Sequence, residues 1–164
     1  MLEVAFGVWK NRLKNLKEFL KLFQDIQEVP ANPTYEEVTY SNTGHFETIE
    51  IIYDKNITSY DKILDHFWIN IDPFDAVGQF CDKGYSYRSV AFLKNDEQRK
   101  LINKSKRKIE QKFKKKVVTY VIKFDKFYEA ENYHQDYYRK KFLNYLRYKK
   151  ACGREKKLNS IWNK

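Results

Sequence analysis

The 164 residues fit one domain, and 42% hydrophobic residues with 12 Phe, 13 Tyr and 3 Trp fill a core, which excludes a mainly disordered chain. Five Gly and three Pro exclude collagen-like and linker-dominated classes. The net charge of +10 is uneven: residues 1–93 carry 9 Lys and Arg against 14 Asp and Glu, a net −5, whereas residues 94–164 carry 23 against 8, a net +15. Such a basic half attracts nucleic acid, anionic membrane or acidic protein through a field that salt screens, or is a solvated lysine surface. Cys81 and Cys152, 71 positions apart, cannot build a disulfide framework and read as reduced thiols of a cytoplasmic protein. Glu3 stands where a signal peptide wants cations, and no apolar run is long enough to span a membrane.

In chain order, residues 2–8 form an apolar run of strand length. Leu13, Leu16, Phe19, Leu20, Phe23 and Ile26 then recur at helical spacing, which predicts a helix over about 9–27 that Pro30 and Pro33 stop. A structured loop follows. Phe46–Asp54 is rich in β-branched and aromatic residues and reads as a second strand. Ser59 is the N-cap residue of a helix carrying Ile63, Leu64, Phe67, Trp68 and Ile71, and Asp72-Pro73 ends it.

Residues 73–86 read as loop and Ser89–Leu93 as a third strand. Asn95 or Asp96 caps a helix to about 113 with Leu101, Ile102, Ile109 and Phe113 inward, and Val117–Phe124 is a fourth strand. A final helix, aromatic and basic, covers about 130–150, and Gly153-Arg154-Glu155-Lys156-Lys157 opens a charged, poorly packed tail over 151–164. Strands alternating with helices favour an α+β domain, a two-layer sandwich with helices on a mixed sheet.

His45, His66 and His134 are far apart and neither cysteine has a second ligand nearby, so no metal site is expected. Phosphate-cradling glycine loops and Gly-x-Ser-x-Gly turns are also missing, which removes nucleotide-dependent and serine-hydrolase chemistry. What remains is a set of polar loop motifs. Asn32-Pro33-Thr34-Tyr35-Glu36-Glu37-Val38, Thr43-Gly44-His45-Phe46-Glu47, Asp82-Lys83-Gly84-Tyr85-Ser86-Tyr87-Arg88-Ser89 and Tyr133-His134-Gln135-Asp136-Tyr137 follow one another in register.

In this combination the chain, over about residues 1–140, resembles the peptide methionine sulfoxide reductase A family. The resemblance implies an α+β two-layer sandwich with a ferredoxin-like core, and reduction of methionine-S-sulfoxide in proteins to methionine, a repair of oxidative damage. It also implies a monomer without bound cofactor that draws electrons from thioredoxin or another dithiol. Glu47 matches the acid that protonates the sulfoxide oxygen, Tyr35 and Tyr87 the tyrosines that hydrogen-bond it, and Asp82 the aspartate that orders the site. Burial in an aromatic pocket would raise the carboxyl pKa as such an acid requires.

The family's Gly-Cys-Phe-Trp motif departs here: the tryptophan falls on Trp9 and the phenylalanine on Val8, the substrate-methyl wall, while the nucleophile falls on Gly7 and its preceding glycines on Ala5 and Phe6. Impaired reduction follows. Cys81, next to Asp82, is a substitute nucleophile only if it faces the pocket, and on an extended segment neighbouring side chains point opposite ways. Cys152 has nothing obvious to resolve. Arg88 and His134 read as structural partners.

Two other functions compete. One is an inactive relative that keeps a methionine or sulfoxide pocket. The other is a nucleic-acid-binding module, in which Lys104–Lys108 and Lys112–Lys116 supply cations and Tyr137, Tyr138, Tyr145 and Tyr148 stacking faces. Against the latter, Tyr138, Tyr145 and Tyr148 recur with Phe142 and Leu146 at the spacing of a packed helical stripe.

Overall fold

The computed structural model describes residues 19–24, 35–40, 44–51, 53–125, 128–129 and 140–163. Strand β1, Phe19–Gln24, pairs antiparallel with β2, His45–Glu50, in a register running from Phe19 opposite Glu50 to Gln24 opposite His45. On its other edge β1 pairs with Tyr128–Glu129. The helix expected over 9–27 is therefore wrong across 19–24. Phe19, Leu20, Leu22 and Phe23 satisfy either a short buried strand or one face of a helix, and the ladder to β2 decides between them. The strand expected over 2–8 and the rest of that helix lie outside the described residues.

Helix α1, Tyr35–Tyr40, replaces loop where the first motif ends. Helix α2, Tyr60–Trp68, starts where expected: Ser59 is its N-cap, and the serine oxygen accepts the Lys62 N–H at 3.4 Å. It ends at Ile69, earlier than Asp72, but Ile71 is still buried. Within the expected loop lies a hairpin, β3 (Gly78–Gln79) with β4 (Asp82–Lys83), followed by a 3₁₀ turn at Tyr85–Tyr87.

Strand β5, Val90–Leu93, pairs in parallel with β6, Tyr120–Lys123. Parallel neighbours need a long crossover, and α3, Asp96–Phe113, supplies it. Asn95 caps α3 by accepting the Gln98 N–H at 2.9 Å. The short strand β7 is Tyr128–Glu129, and the chain closes with α4, Phe142–Ala151, and α5, Arg154–Trp162.

Alternation along β2 and β5 divides the core. Ile49, Ile51, Ala91 and Leu93 join Ile63, Leu64, Phe67, Trp68, Ile102 and Val117 beneath the helices. Phe46, Val90 and Phe92 point the other way, against Tyr85 and Tyr120. Both strands are thus buried on two faces, and only Glu47 of β2 reaches partial exposure. The Trp68 indole spends its one donor inside this core, on Ser105 Oγ at 2.9 Å.

The chain after 150 is not poorly packed. Trp162 sets its ring edge-on to Phe113 at 5.2 Å and donates to the Ile71 carbonyl at 3.1 Å. Lys157 pairs with the buried Asp72 at 3.2 Å, and Arg154 donates to the Asn70 carbonyl at 2.9 Å. Charged in composition, α5 uses one tryptophan and two cations to seat itself on the end of α2. Trp162→Ala should lower unfolding free energy by about 2 kcal/mol in chemical denaturation. It should also turn residues 154–164 into the first site of limited proteolysis, where the parent chain resists.

Candidate active site

Four segments meet at the β3–β4 hairpin. Its strands pair Gly78 with Lys83 and Gln79 with Asp82, so Phe80 and Cys81 form a two-residue turn. Gly78 is required: a Cβ there would stand 2.1 Å from the Asp82 carbonyl oxygen. Gln79, fully buried, accepts the Asp72 N–H at 2.8 Å and donates to the Asp72 and Gly78 carbonyls, each at 2.9 Å. Lys83 pairs with Asp75. Phe80 adopts φ 56°, the left-handed region that a bulky residue enters only at a cost of about 1–2 kcal/mol. The Arg154 guanidinium lies 4.7 Å from its ring centroid and offsets part of that cost.

This turn changes where successive side chains point. Tyr148 of α4 donates its phenol hydrogen to Asp82 Oδ2, and Cys81 Sγ lies 3.4 Å from the same phenol oxygen and 4.0 Å from Asp82 Oδ1. The expectation that Cys81 turns away from Asp82 therefore fails, because strand alternation does not pass through a tight turn. Cys81 is moreover bonded to Cys152, with their Cα atoms 5.4 Å apart. The Cys152 sulfur accepts the Cys81 N–H at 3.2 Å. Neither cysteine is the free thiol that the sequence suggested, and Cys152 does have a partner.

Burial first, then the hydrogen bond and charge of Asp82, push the Tyr148 phenol well above its ordinary pKa, and Glu47 and Tyr87 push it further. Asp82 thus accepts a hydrogen bond from a protonated phenol. Arg154 flanks it: burial lowers its guanidinium to about 10, and Tyr145, Tyr148 and Asp82 act against that fall, so it stays cationic at neutral pH. Glu47 holds the partly exposed position of β2, and β2 packs against both α1 and the 3₁₀ turn that carries Tyr87. Tyr35 begins α1; its side chain lies outside the described residues, as do Gly7, Val8 and Trp9.

Tyr148 is the residue that sequence reading missed. Its spacing predicts a packed stripe, yet Phe142, Leu146 and Tyr148 itself are 54%, 40% and 42% exposed. The available signal was Cys152, one helical turn after Tyr148 and hence on its side of the chain. Arg88 donates to the Tyr120 hydroxyl at 3.1 Å and lies 5.1 Å from the centre of the Tyr85 ring.

Gly78→Ala should destabilise the fold by about 3 kcal/mol because the hairpin must open. Gly153→Ala meets no atom within 4 Å and should cost only about 1 kcal/mol, for its φ of 63°. Parallel thermal and denaturant melts of the two variants measure the difference.

A family model described as peptide methionine sulfoxide reductase matches residues 26–164, so the likeness extends past residue 140 through α5 and begins after Gly7, Val8 and Trp9. Among curated relatives, the peptide methionine sulfoxide reductase MsrA of Bacillus velezensis is 45% identical over 133 residues, 80% of this chain and 75% of that one. Its Listeria welshimeri counterpart is 46% identical over 134 residues, 80% and 76% of the two chains. In fold, the chain is similar to reduced Mxr1 from Saccharomyces cerevisiae, with TM-score 0.70, 24% identity, and 85% and 84% coverage. It is also similar to methionine sulfoxide reductase A of Corynebacterium diphtheriae, with TM-score 0.65, 22% identity, and 77% and 64% coverage. With its helices and strands arranged as in those folds and its sequence matched over most of its length, the chain belongs to the peptide methionine sulfoxide reductase family.

Proposed function

We propose that this protein reduces methionine-S-sulfoxide in peptides and proteins to methionine, with Glu47 protonating the sulfoxide oxygen, Tyr35 and Tyr87 hydrogen-bonding it and Asp82 ordering the site. The observation that carries this reading is that, in a chain of this family, the strand of Glu47 and the β3–β4 hairpin of Asp82 both pack against the 3₁₀ turn of Tyr87, with Asp82 held by the Tyr148 phenol. As the S–O bond breaks, charge develops on oxygen, and donors held in place stabilise it without reorganising. The carboxyl group then supplies the proton that lets oxygen leave.

The scaffold proposed with this function is the two-layer sandwich with a ferredoxin-like core. Antiparallel β1–β2 and the helical crossover between β5 and β6 support it. In the family's usual geometry the sulfur side is impaired, since Gly7 falls at the nucleophile position and Trp9 and Val8 at the methyl wall. Thioredoxin or a similar dithiol is the proposed reductant, and the protein acts as a monomer without a bound cofactor.

Calorimetric titration tests the reading without requiring turnover. A peptide with methionine-S-sulfoxide should bind at least about tenfold tighter than the same peptide with the R epimer or with methionine, and Tyr87→Phe should remove most of that preference. Glu47→Gln should retain binding but slow reduction by about 100-fold or more, since an amide hydrogen-bonds oxygen but yields no proton. Gly7→Cys should accelerate reduction by dithiothreitol. Equal binding of the two epimers would overturn the reading.

A further inference from the structure

The oxygen side of the proposed site is well furnished, and the sulfur side lacks a thiol at Gly7. Reduction of a sulfoxide by thiols needs two of them, because the sulfoxide sulfur gains two electrons and each cysteine sulfur gives up one. Two sulfurs stand beside the Asp82–Tyr148 hydrogen bond, and they are joined to each other. Cys81 is exposed, so a substrate can reach it, and the Phe80–Cys81 turn aims its sulfur at the same phenol that Asp82 accepts from. Cys152 sits between α4 and α5, held there by Arg154 on Phe80 and Asn70 and by Trp162 on Ile71.

We propose that Cys81 is the nucleophile of this chain and Cys152 its resolving partner, the Cys81–Cys152 disulfide being the oxidised end of one turnover. The inference rests on the reductase reading above. In the first step the Cys81 thiolate forms a bond to the sulfoxide sulfur while the S–O bond breaks. The oxygen departs as water, carrying the two protons that the cysteine thiols surrender, with Glu47 relaying a proton to it. In the second step the Cys152 thiolate attacks the Cys81 sulfur, forming the disulfide and expelling the thioether of methionine. One sulfoxide and two thiols thus become one thioether, one disulfide and one water.

Recycling takes an external dithiol. Its thiolate attacks the exposed Cys81 sulfur and Cys152 leaves as a thiolate, a form stabilised by the Cys81 N–H that already points at its sulfur from 3.2 Å. The second thiol of the reductant then frees Cys81 and departs as a disulfide. A purely structural staple between the hairpin and the α4–α5 turn would use both cysteines equally, whereas the proposed chemistry does not. This asymmetry is what the test reads.

The full-length protein, reduced and freed of reductant, should convert one equivalent of free methionine-S-sulfoxide to methionine while its mass falls by two hydrogens and peptide mapping finds Cys81 joined to Cys152. With dithiothreitol, Cys81→Ser should lose turnover by about 100-fold or more, whereas Cys152→Ser should stay within about fivefold of the parent because the reagent resolves in its place. Equal losses in the two variants, or an unchanged rate in Cys81→Ser, would overturn the proposal. Gly7→Cys in the Cys81→Ser background separates it from the reading beneath it. If that variant reduces sulfoxide while the parent chain does not, the oxygen side works and the Cys81 assignment is wrong. If neither reduces it and neither binds the S-sulfoxide peptide in preference to the R epimer, both fail.

Discussion

The close approach of β3 to β4 at Gly78 is the constraint on which the site depends. Since a Cβ at 78 would occupy the space of the Asp82 carbonyl, the two strands meet closely enough to be closed by Phe80 and Cys81 alone. The turn then needs a residue with positive φ, and Phe80 takes it, its ring covered by Arg154. With the turn set, Cys81 and Asp82 face one phenol instead of opposite sides, and Tyr148, Cys152 and Arg154 are drawn from the C-terminal helices to meet them. Gln79 carries the same constraint inward, tying the hairpin to Asp72 at the end of α2.

The basic half of the chain reads differently once its cations are located. Lys115 lies 4.7 Å from the Phe74 ring, Lys112 5.0 Å from Phe113 and Lys94 4.3 Å from Phe124. In these positions the ammonium groups lie over aromatic rings, where the ring quadrupole attracts them. Lys157 pairs with Asp72, and Arg154 supports the hairpin turn. Part of what composition presents as a surplus of charge thus engages aromatic rings and Asp72. Among the described residues, no helix is long and apolar enough to cross a membrane.

The elements that could be read from the sequence are those whose signals are local. Ser59 and Asn95 cap α2 and α3 where expected, because a side-chain oxygen two or three residues before a free N–H acts within one turn. Strands β2 and β5 follow from β-branched and aromatic runs. Residues 19–24 could not be assigned in this way, since four apolar residues in six fit both periods and the partner strand lies over 20 residues downstream. Nor could α5, whose Lys and Arg count suggests solvent until Trp162 is seen to dock on Ile71 and Lys157 on Asp72.

The sequence by itself determined the family, through motifs whose order and spacing are specific. Only the tertiary structure decided that Tyr148 donates to Asp82 and that Cys81 and Cys152 are partners across 71 positions. The physical reason is the range of each signal. Backbone periodicity and capping act over a turn or two of chain, whereas the meeting of a hairpin with a C-terminal helix is set by the packing of everything between them, from the buried Gln79 to the seat of Trp162 on Ile71.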